Sequence, residues 1–390
     1  MSESFDSASQ LVFRSHSWTL PQGSVVSSPL GASTSLGAIT LNGKSHLVSQ
    51  SQPAGAGCAA STSNQGFDAN GNLAQRDDFN GTRTCYANDL SRNLEIARIE
   101  GLGTSADCST VTPINAVLPA KSRKLSTQWH PDWRLAVQTA EPGKLTTSVY
   151  NGQPDPFAGN AIASCAPAGA VLPDGKPIAV LCKQVEQATT DTDGHLGFSA
   201  LLQSGVPKRQ TTYTYNPSGQ VLTVKGPRTD VNDTTSYVYY ADTTADHTLG
   251  DLQSVTNAVG LVTQYTQYNK HGQVLQSLDV NGALTVNTYD PRQRLLTTTL
   301  AGKTTTYAYD AAGQLKKVTL PDTSWVGYDY DDAHRQVAVY DNKNNRTTYT
   351  LDNAGNKIGE QTTDPAGNLK RQLGRVIDPL GRVQQATGRE

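Results

Sequence analysis

The chain has 390 residues, of which 36% are hydrophobic and 17% charged, and its net charge is -2. So balanced a charge leaves no basic footprint for nucleic acid or another phosphate-rich partner. No run approaches the roughly 18 apolar residues of a membrane-spanning helix. The N-terminal stretch also lacks the basic segment followed by an apolar one that marks a secretory signal. The expectation is a cytosolic protein, one exported by a machine that needs no cleaved signal, or a piece of a longer chain.

Residues 1–66 are rich in Ser, Gly and Ala and are expected to form a loosely ordered lead. Within them, Leu36 to Leu41 and Lys44 to Val48 flank Asn42-Gly43, a pair that favours tight hairpin turns. From Phe67 a motif becomes audible. Phe67-Asp68-Ala69-Asn70-Gly71-Asn72-Leu73 is followed by weaker copies at Tyr86, Trp129 and Tyr150, which make 67–151 a degenerate array. Residues 152–207 lose the period in a Pro- and Gly-rich insertion that reads as a loop decorating the array.

The array resumes over 208–390. Tyr307-Ala308-Tyr309-Asp310-Ala311-Ala312-Gly313-Gln314-Leu315 is its clearest unit. Its landmarks recur as Tyr215 with Gly219, Tyr268 with Gly272, Tyr289-Asp290, Tyr330-Asp331, Asp352 with Gly355, and Asp378 with Gly381. The lead positions 268, 289, 309, 330 and 351 are separated by 21, 20, 21 and 21 residues, a spacing that marks a repeat architecture.

One unit explains itself physically. Thr304 to Tyr309 is β-branched and aromatic and predicts a strand. Asp310 to Gly313 has the chemistry of a turn, because Asp accepts from a nearby N–H and Gly tolerates a positive φ. Leu315 to Leu320 returns as a second strand, and the Leu315 to Val318 spacing breaks strict alternation, so a bulge or a late strand start is expected. The fold class that follows is all-β: repeated hairpins in one long antiparallel meander. More than about ten such strands must curl, which predicts an open, incomplete spiral shell.

The unit Tyr-Asp-x-x-Gly-Gln/Arg-Leu, followed by a strand, a Pro-Asp turn and Thr-Tyr-x-Tyr, resembles the YD repeat of the RHS (rearrangement hot spot) family. The resemblance is clear over Thr211 to Val383 and weak over Phe67 to Asn151. It implies a hollow β-shell of the kind that in bacteria encloses a C-terminal toxin used against competitors. It also implies delivery to the outside or the cell surface, with the remainder of the shell and its cargo as partners. Related repeats are linked to carbohydrate, so the alternative is a surface module that binds glycans or mediates adhesion. The Pro-x-x-x-x-Asp-Pro-x-Gly motif that closes the bacterial shell is absent: Asp364-Pro365-Ala366-Gly367 and Asp378-Pro379-Leu380-Gly381 read as repeat turns. Self-cleavage and toxin activity are therefore not carried over to this chain.

No catalytic residue, cofactor or metal site is expected. The seven histidines form no His-Glu-x-x-His, and His271 and His334 fall in repeat turns, His334 where Gly stands elsewhere. Asp191-Thr192-Asp193-Gly194 and Asp68 to Asn72 resemble fragments of a calcium loop but lack its closing Glu, so plain Asx turns are preferred. Cys85 with Cys108 and Cys165 with Cys182 each bracket an insertion. Disulfides there would imply an oxidising compartment and leave Cys58 over, and free thiols fit the spacing equally well. The tyrosines are expected to pack between strands rather than stack on sugars. An enzyme would need a site in Gly152 to Pro207, and no motif there supplies one.

Overall fold

The computed structural model describes residues 2–6, 11–19, 23–27, 33–54, 59–113, 115–377 and 383–389, with side chains from residue 23 to residue 388. Asp378, Gly381 and Cys58 lie outside the described residues. The chain is almost wholly β. Its helical elements among the described residues are one turn at Cys108–Val111 and a 3-10 turn at Gly197–Ser199. The expected antiparallel meander is present: from Leu295–Leu300 through Lys303–Tyr309 and Leu315–Thr319 to Trp325–Tyr330, each strand pairs with the next in sequence.

Two compact units divide the chain. One comprises Met1–Ser63, Val274–Ser277 and Asn281–Glu390, the other Asn64–Gln273 and Leu278–Val280. In the first, Ser33–Leu41 and Lys44–Gln52 form a hairpin closed by Leu41 opposite Lys44. The two residues between are Asn42 at φ 50° and Gly43 at φ 76°, as a two-residue turn with both centres left-handed requires. Farther on come Leu284–Tyr289, Leu295–Leu300, Lys303–Tyr309, Leu315–Thr319 and Trp325–Tyr330. Gln336–Asp341, Arg346–Leu351, Lys357–Thr363, Leu369–Ile377 and Val383–Arg389 complete that unit, paired in order.

In the second unit, paired strands run from Ser61–Phe67 to Val262–Tyr268. Leu181–Ala188 is one of them, antiparallel to Lys144–Tyr150 on one side and Arg209–Tyr215 on the other. Sequence reading placed this segment in a decorating loop because Leu181 to Ala188 carries neither the Tyr lead nor the Asp turn. It is a strand of the meander, and the insertion proper is the stretch before it.

Of the bulge or late strand start expected from the Leu315 to Val318 spacing, the bulge is found. Tyr309 pairs with Leu315 but Ala308 with Lys317, so Lys316 is the extra residue. The same shift recurs at Tyr215, Tyr239, Tyr289, Tyr330 and Leu351. A type I turn followed by a left-handed residue produces it: Gly313 N–H donates to the Asp310 carbonyl at 3.1 Å, and Asp310 N–H to the Gln314 carbonyl at 2.9 Å. The left-handed position is Gly313 at φ 97°, Gly219 at 77° and Gly355 at 86°, but Gln293 at 65° and His334 at 62° fill it in two copies.

Most strand side chains are half-buried. Among the described residues, the buried apolar side chains other than Ala338 lie in the second unit. Ile99, Leu102, Val185 and Cys85 are the largest of those buried almost completely, and Cys85, Ile99 and Leu102 pack with Val111 of the 101–119 insertion. The repeats therefore hold together less by a deep core than by the contacts between neighbouring copies.

Candidate functional site

Each landmark of the repeat motif has a definite task at the turn edge. The lead carboxylate folds the turn. Asp290 Oδ1 accepts from the N–H of Arg292 and of Arg294, both at 2.9 Å, while Oδ2 takes the Arg294 guanidinium. Asp331, Asp341, Asp352 and Asp364 repeat the pattern with Arg335, Asn345, Asn356 and Asn368 as the fifth residue. Where Asn leads, as in Asn216 and Asn269, the fifth residue is Gln and the side-chain bond reverses, the Asn amide donating to Gln220 or Gln273. The bond to Arg294 holds the Asp290 carboxyl below the usual carboxylate range.

The fifth residue also reaches the next turn. Gln314 Nε2 donates to the His334 carbonyl at 2.8 Å and Gln220 Nε2 to that of Gly250 at 2.7 Å. Arg335 Nη1 donates to the Asp352 carbonyl at 3.0 Å.

The tyrosine makes a second stitch, between strands. Pairing of Leu295–Leu300 with Lys303–Tyr309 ends at Thr297 opposite Thr306, which leaves the Leu295 carbonyl outside the ladder. The Tyr309 hydroxyl donates to it at 2.9 Å. Tyr330 does the same for Leu315, Tyr289 for Val274, Tyr268 for Leu252, Tyr239 for Val221, Tyr215 for Leu181 and Tyr150 for Ala136. A half-buried carbonyl without a donor is costly, and a phenol held at that height supplies one. Burial pushes the Tyr268 hydroxyl up to about 12 and raises those of Tyr215 and Tyr330, so each remains a donor through the neutral range.

Trp129 to Leu135 shows how far the motif can drift. His130 takes the place of Asp: its N–H donates to the Leu135 carbonyl at 2.7 Å, and its Nδ1 accepts from the N–H of Asp132 and Trp133. The ring is 2% exposed, and that burial pushes its pKa below the ordinary histidine value.

The cysteines are joined. Cys85–Cys108 ties the strand Thr82–Asp89 to the turn of helix, and Cys165–Cys182 ties the insertion to Leu181–Ala188, both with Cα atoms 5.3 Å apart. Cys85 sits in a buried cluster with Ile99, Leu102 and Val111, and Cys165 packs against one formed by Ala166, Ala170 and Tyr215.

Sequence reading passed over one cavity. It lies in the second unit, between the strand Arg123–Trp129 and the loop from Asp191 to Ser199, and measures about 480 Å³. Asp191, Asp193 and His195 hold that loop. Asp191 accepts from the N–H of Gly194 and Leu196, and His195 Nδ1 lies 2.6 Å from Asp193 Oδ1 and 3.4 Å from Asp191 Oδ1. Both Asp191 oxygens thus serve main-chain donors, and Asp193 Oδ1 accepts from the His195 N–H two residues on, an Asx turn. A Cβ on Gly194, at φ 81°, would come within 2.0 Å of the Lys124 carbonyl oxygen, so the loop approaches the strand as closely as backbone allows. His271 and His334 sit in repeat turns, His334 bonding Gln314 across to the preceding one.

The aromatic side chains pack on each other and on cations. Trp325 meets Tyr340 edge-on at 5.6 Å and carries Lys317 over its ring, and Arg294 lies over the Tyr309 ring at 4.4 Å.

Stitched hairpins on a 20- to 21-residue ruler define a repeat-built β-wall. Residues 289–324 and 330–369 match the RHS Repeat family model. Comparison with curated proteins found no match. Among solved structures, the crystal structure of TcdB2-TccC3 is similar over 97% of this chain and 22% of that one, at 14% identity and a TM-score of 0.51. The Photorhabdus luminescens Tc holotoxin pore is similar over 96% of this chain and 21% of that one, at 13% identity and a TM-score of 0.50. The chain thus spans about a fifth of the length of the proteins it resembles in fold.

Proposed function

We propose that this chain is a length of structural wall in an RHS-type shell, a non-enzymatic segment whose task is to encase or carry a toxin or effector region. The observation that carries this reading is that the motif side chains are spent on building the wall. The Asp, the fifth residue and the Tyr of successive copies bond to the backbone of their own or the neighbouring copy. The fold likeness to a TcdB2-TccC3 assembly agrees with it. The partners of such a segment are the rest of the shell and its cargo. Residues 1–66 would form its lead and 67–151 and 208–390 its repeat wall, continued through the strand Leu181–Ala188, with the preceding residues of 152–207 an insertion stapled onto it.

The test is co-expression of this chain with the remaining shell sequence and an effector region, followed by limited proteolysis. Protection of the effector only when this chain is present supports the wall. An effector digested equally with and without it removes the reading.

A further inference from the structure

We propose that the cavity between the strand Arg123–Trp129 and the loop from Asp191 to Ser199 binds an apolar monocarboxylate, an aryl or medium-chain acid, with Lys124 as the counter-charge. This goes beyond the wall reading: Trp129, Asp89 and Arg92 of two degenerate copies line the cavity, but neither Lys124 nor the loop from Asp191 to Ser199 belongs to a repeat copy.

Lys124 carries the argument. It is 2% exposed, yet no carboxylate partners it. Its ammonium donates to two neutral carbonyls, those of Pro113 at 2.6 Å and Thr112 at 3.2 Å, which leaves the third N–H unassigned. A buried charge normally has a charged partner, because carbonyl dipoles alone repay only part of its lost hydration. Burial accordingly pushes the Lys124 amine below the usual lysine range. The residues that line the cavity include both Lys124 and Thr112, whose carbonyl the Lys124 ammonium bonds.

The other charges on the wall do not cancel it. Asp89 is engaged by the N–H and hydroxyl of Ser91 and lies near Arg92, whose guanidinium in turn bonds the carbonyls of His130 and Trp133. His195, in the lining, lies 2.6 Å through its Nδ1 from the carboxylate of Asp193, which is not itself a lining residue. The remaining lining includes Ile96, Trp129, Leu196 and Phe198, and two of these large apolar residues, Ile96 at 41% and Phe198 at 40%, are exposed. A cavity of about 480 Å³ lined by these apolar side chains, with the Lys124 and Arg92 cations also among its lining residues, has the size and composition of a small-molecule site. The complementary ligand has one carboxylate and a ring or chain behind it. A polyanion would leave charges against Ile96 and Phe198.

The test uses the full chain and a matched pair of probes, indole-3-acetate and its neutral amide, indole-3-acetamide, followed by calorimetric titration and thermal melting. The acid is expected to bind at least about tenfold more tightly than the amide, the order expected of one charge-assisted hydrogen bond, and to raise the melting temperature. Lys124→Met removes the preference for the acid. Phe198→Ala, in a loop whose backbone bonds it leaves alone, weakens both probes and keeps the experiment decisive should Lys124→Met fail to fold. Equal binding of acid and amide, binding of the acid unchanged by Phe198→Ala, or no binding of either probe would overturn the assignment.

Discussion

The hydroxyl of Tyr309 donates to the Leu295 carbonyl at 2.9 Å, and that carbonyl lies just beyond the last ladder pair joining the two strands, Thr297 opposite Thr306. One side chain thus completes what the bulge in the preceding copy leaves undone. The bulge at each turn and the tyrosine of the next copy are therefore a single device, which is why they recur on the same ruler.

Tyr309→Phe keeps the ring and removes the donor, so unfolding stability should fall by about 1 kcal/mol in a denaturant titration. Leu351 occupies the tyrosine position in its copy, and Gln336 the position whose carbonyl would receive the hydroxyl. Leu351→Tyr should therefore raise stability by a similar amount. A Tyr309→Phe variant as stable as the parent would show that the stitch contributes nothing.

Ala301 and Gly302 form the two-residue turn between Leu300 and Lys303, with φ of 47° and 78°. A left-handed alanine is strained by its Cβ, whereas asparagine visits this region readily, as Asn42 does in the equivalent turn at φ 50°. Ala301→Asn is expected to raise the melting temperature by a few degrees, corresponding to roughly 1 kcal/mol. Ala301→Val should lower it.

The layout of the array was legible because its determinants are local. Tyr-Asp-x-x-Gly predicts a strand, a turn and a bulge within nine residues, and Asn42-Gly43 predicts its hairpin from two. What escaped were features set by distant packing. Leu181–Ala188 is a strand because Lys144–Tyr150 and Arg209–Tyr215 present edges on both sides of it, not because of its own pattern. The Lys124 cavity joins residues some 70 positions apart, roughly from 124 to 195, which no window of sequence brings together. His130 could have been found: it stands directly after the lead aromatic of its copy, where Asp or Asn stands elsewhere, and its ring nitrogen does the work of their oxygen.

That substitution makes the His130 turn sensitive to pH. Burial pushes the folded pKa of His130 below its unfolded value, so the unfolded chain binds the proton more readily. The contribution to stability is fully present above about pH 6.5, the ordinary histidine value, and is lost as pH falls from there toward the lowered folded value. His130→Asn retains an acceptor without a titrating ring. Stability measured at pH 8 and pH 5 should fall less between the two in the variant than in the parent. Identical slopes would contradict the assignment of Nδ1 as the acceptor.

The two disulfides close loops of 23 and 17 residues in sequence separation and bind the insertions to the sheet. Reduction is expected to remove about 2–4 kcal/mol for each bridge. Loss should be local first: proteolysis after reduction is predicted to begin within 101–119 and 152–180 while Thr211 to Ile377 stays intact. Simultaneous cleavage throughout would mean that the insertions and the array unfold together.

Amide hydrogen exchange resolved by residue tests the central claim most directly, namely that consecutive hairpins lie side by side and are stitched copy to copy. The strands Leu295–Leu300, Lys303–Tyr309 and Leu315–Thr319 should be protected together, along with the bonded turn amides of Gly313 and Gln314, while Ala311 and Ala312 exchange quickly. Tyr309→Phe should accelerate exchange in both strands that it joins. Rapid exchange across these strands, or a Tyr309→Phe effect confined to its own strand, would contradict the account.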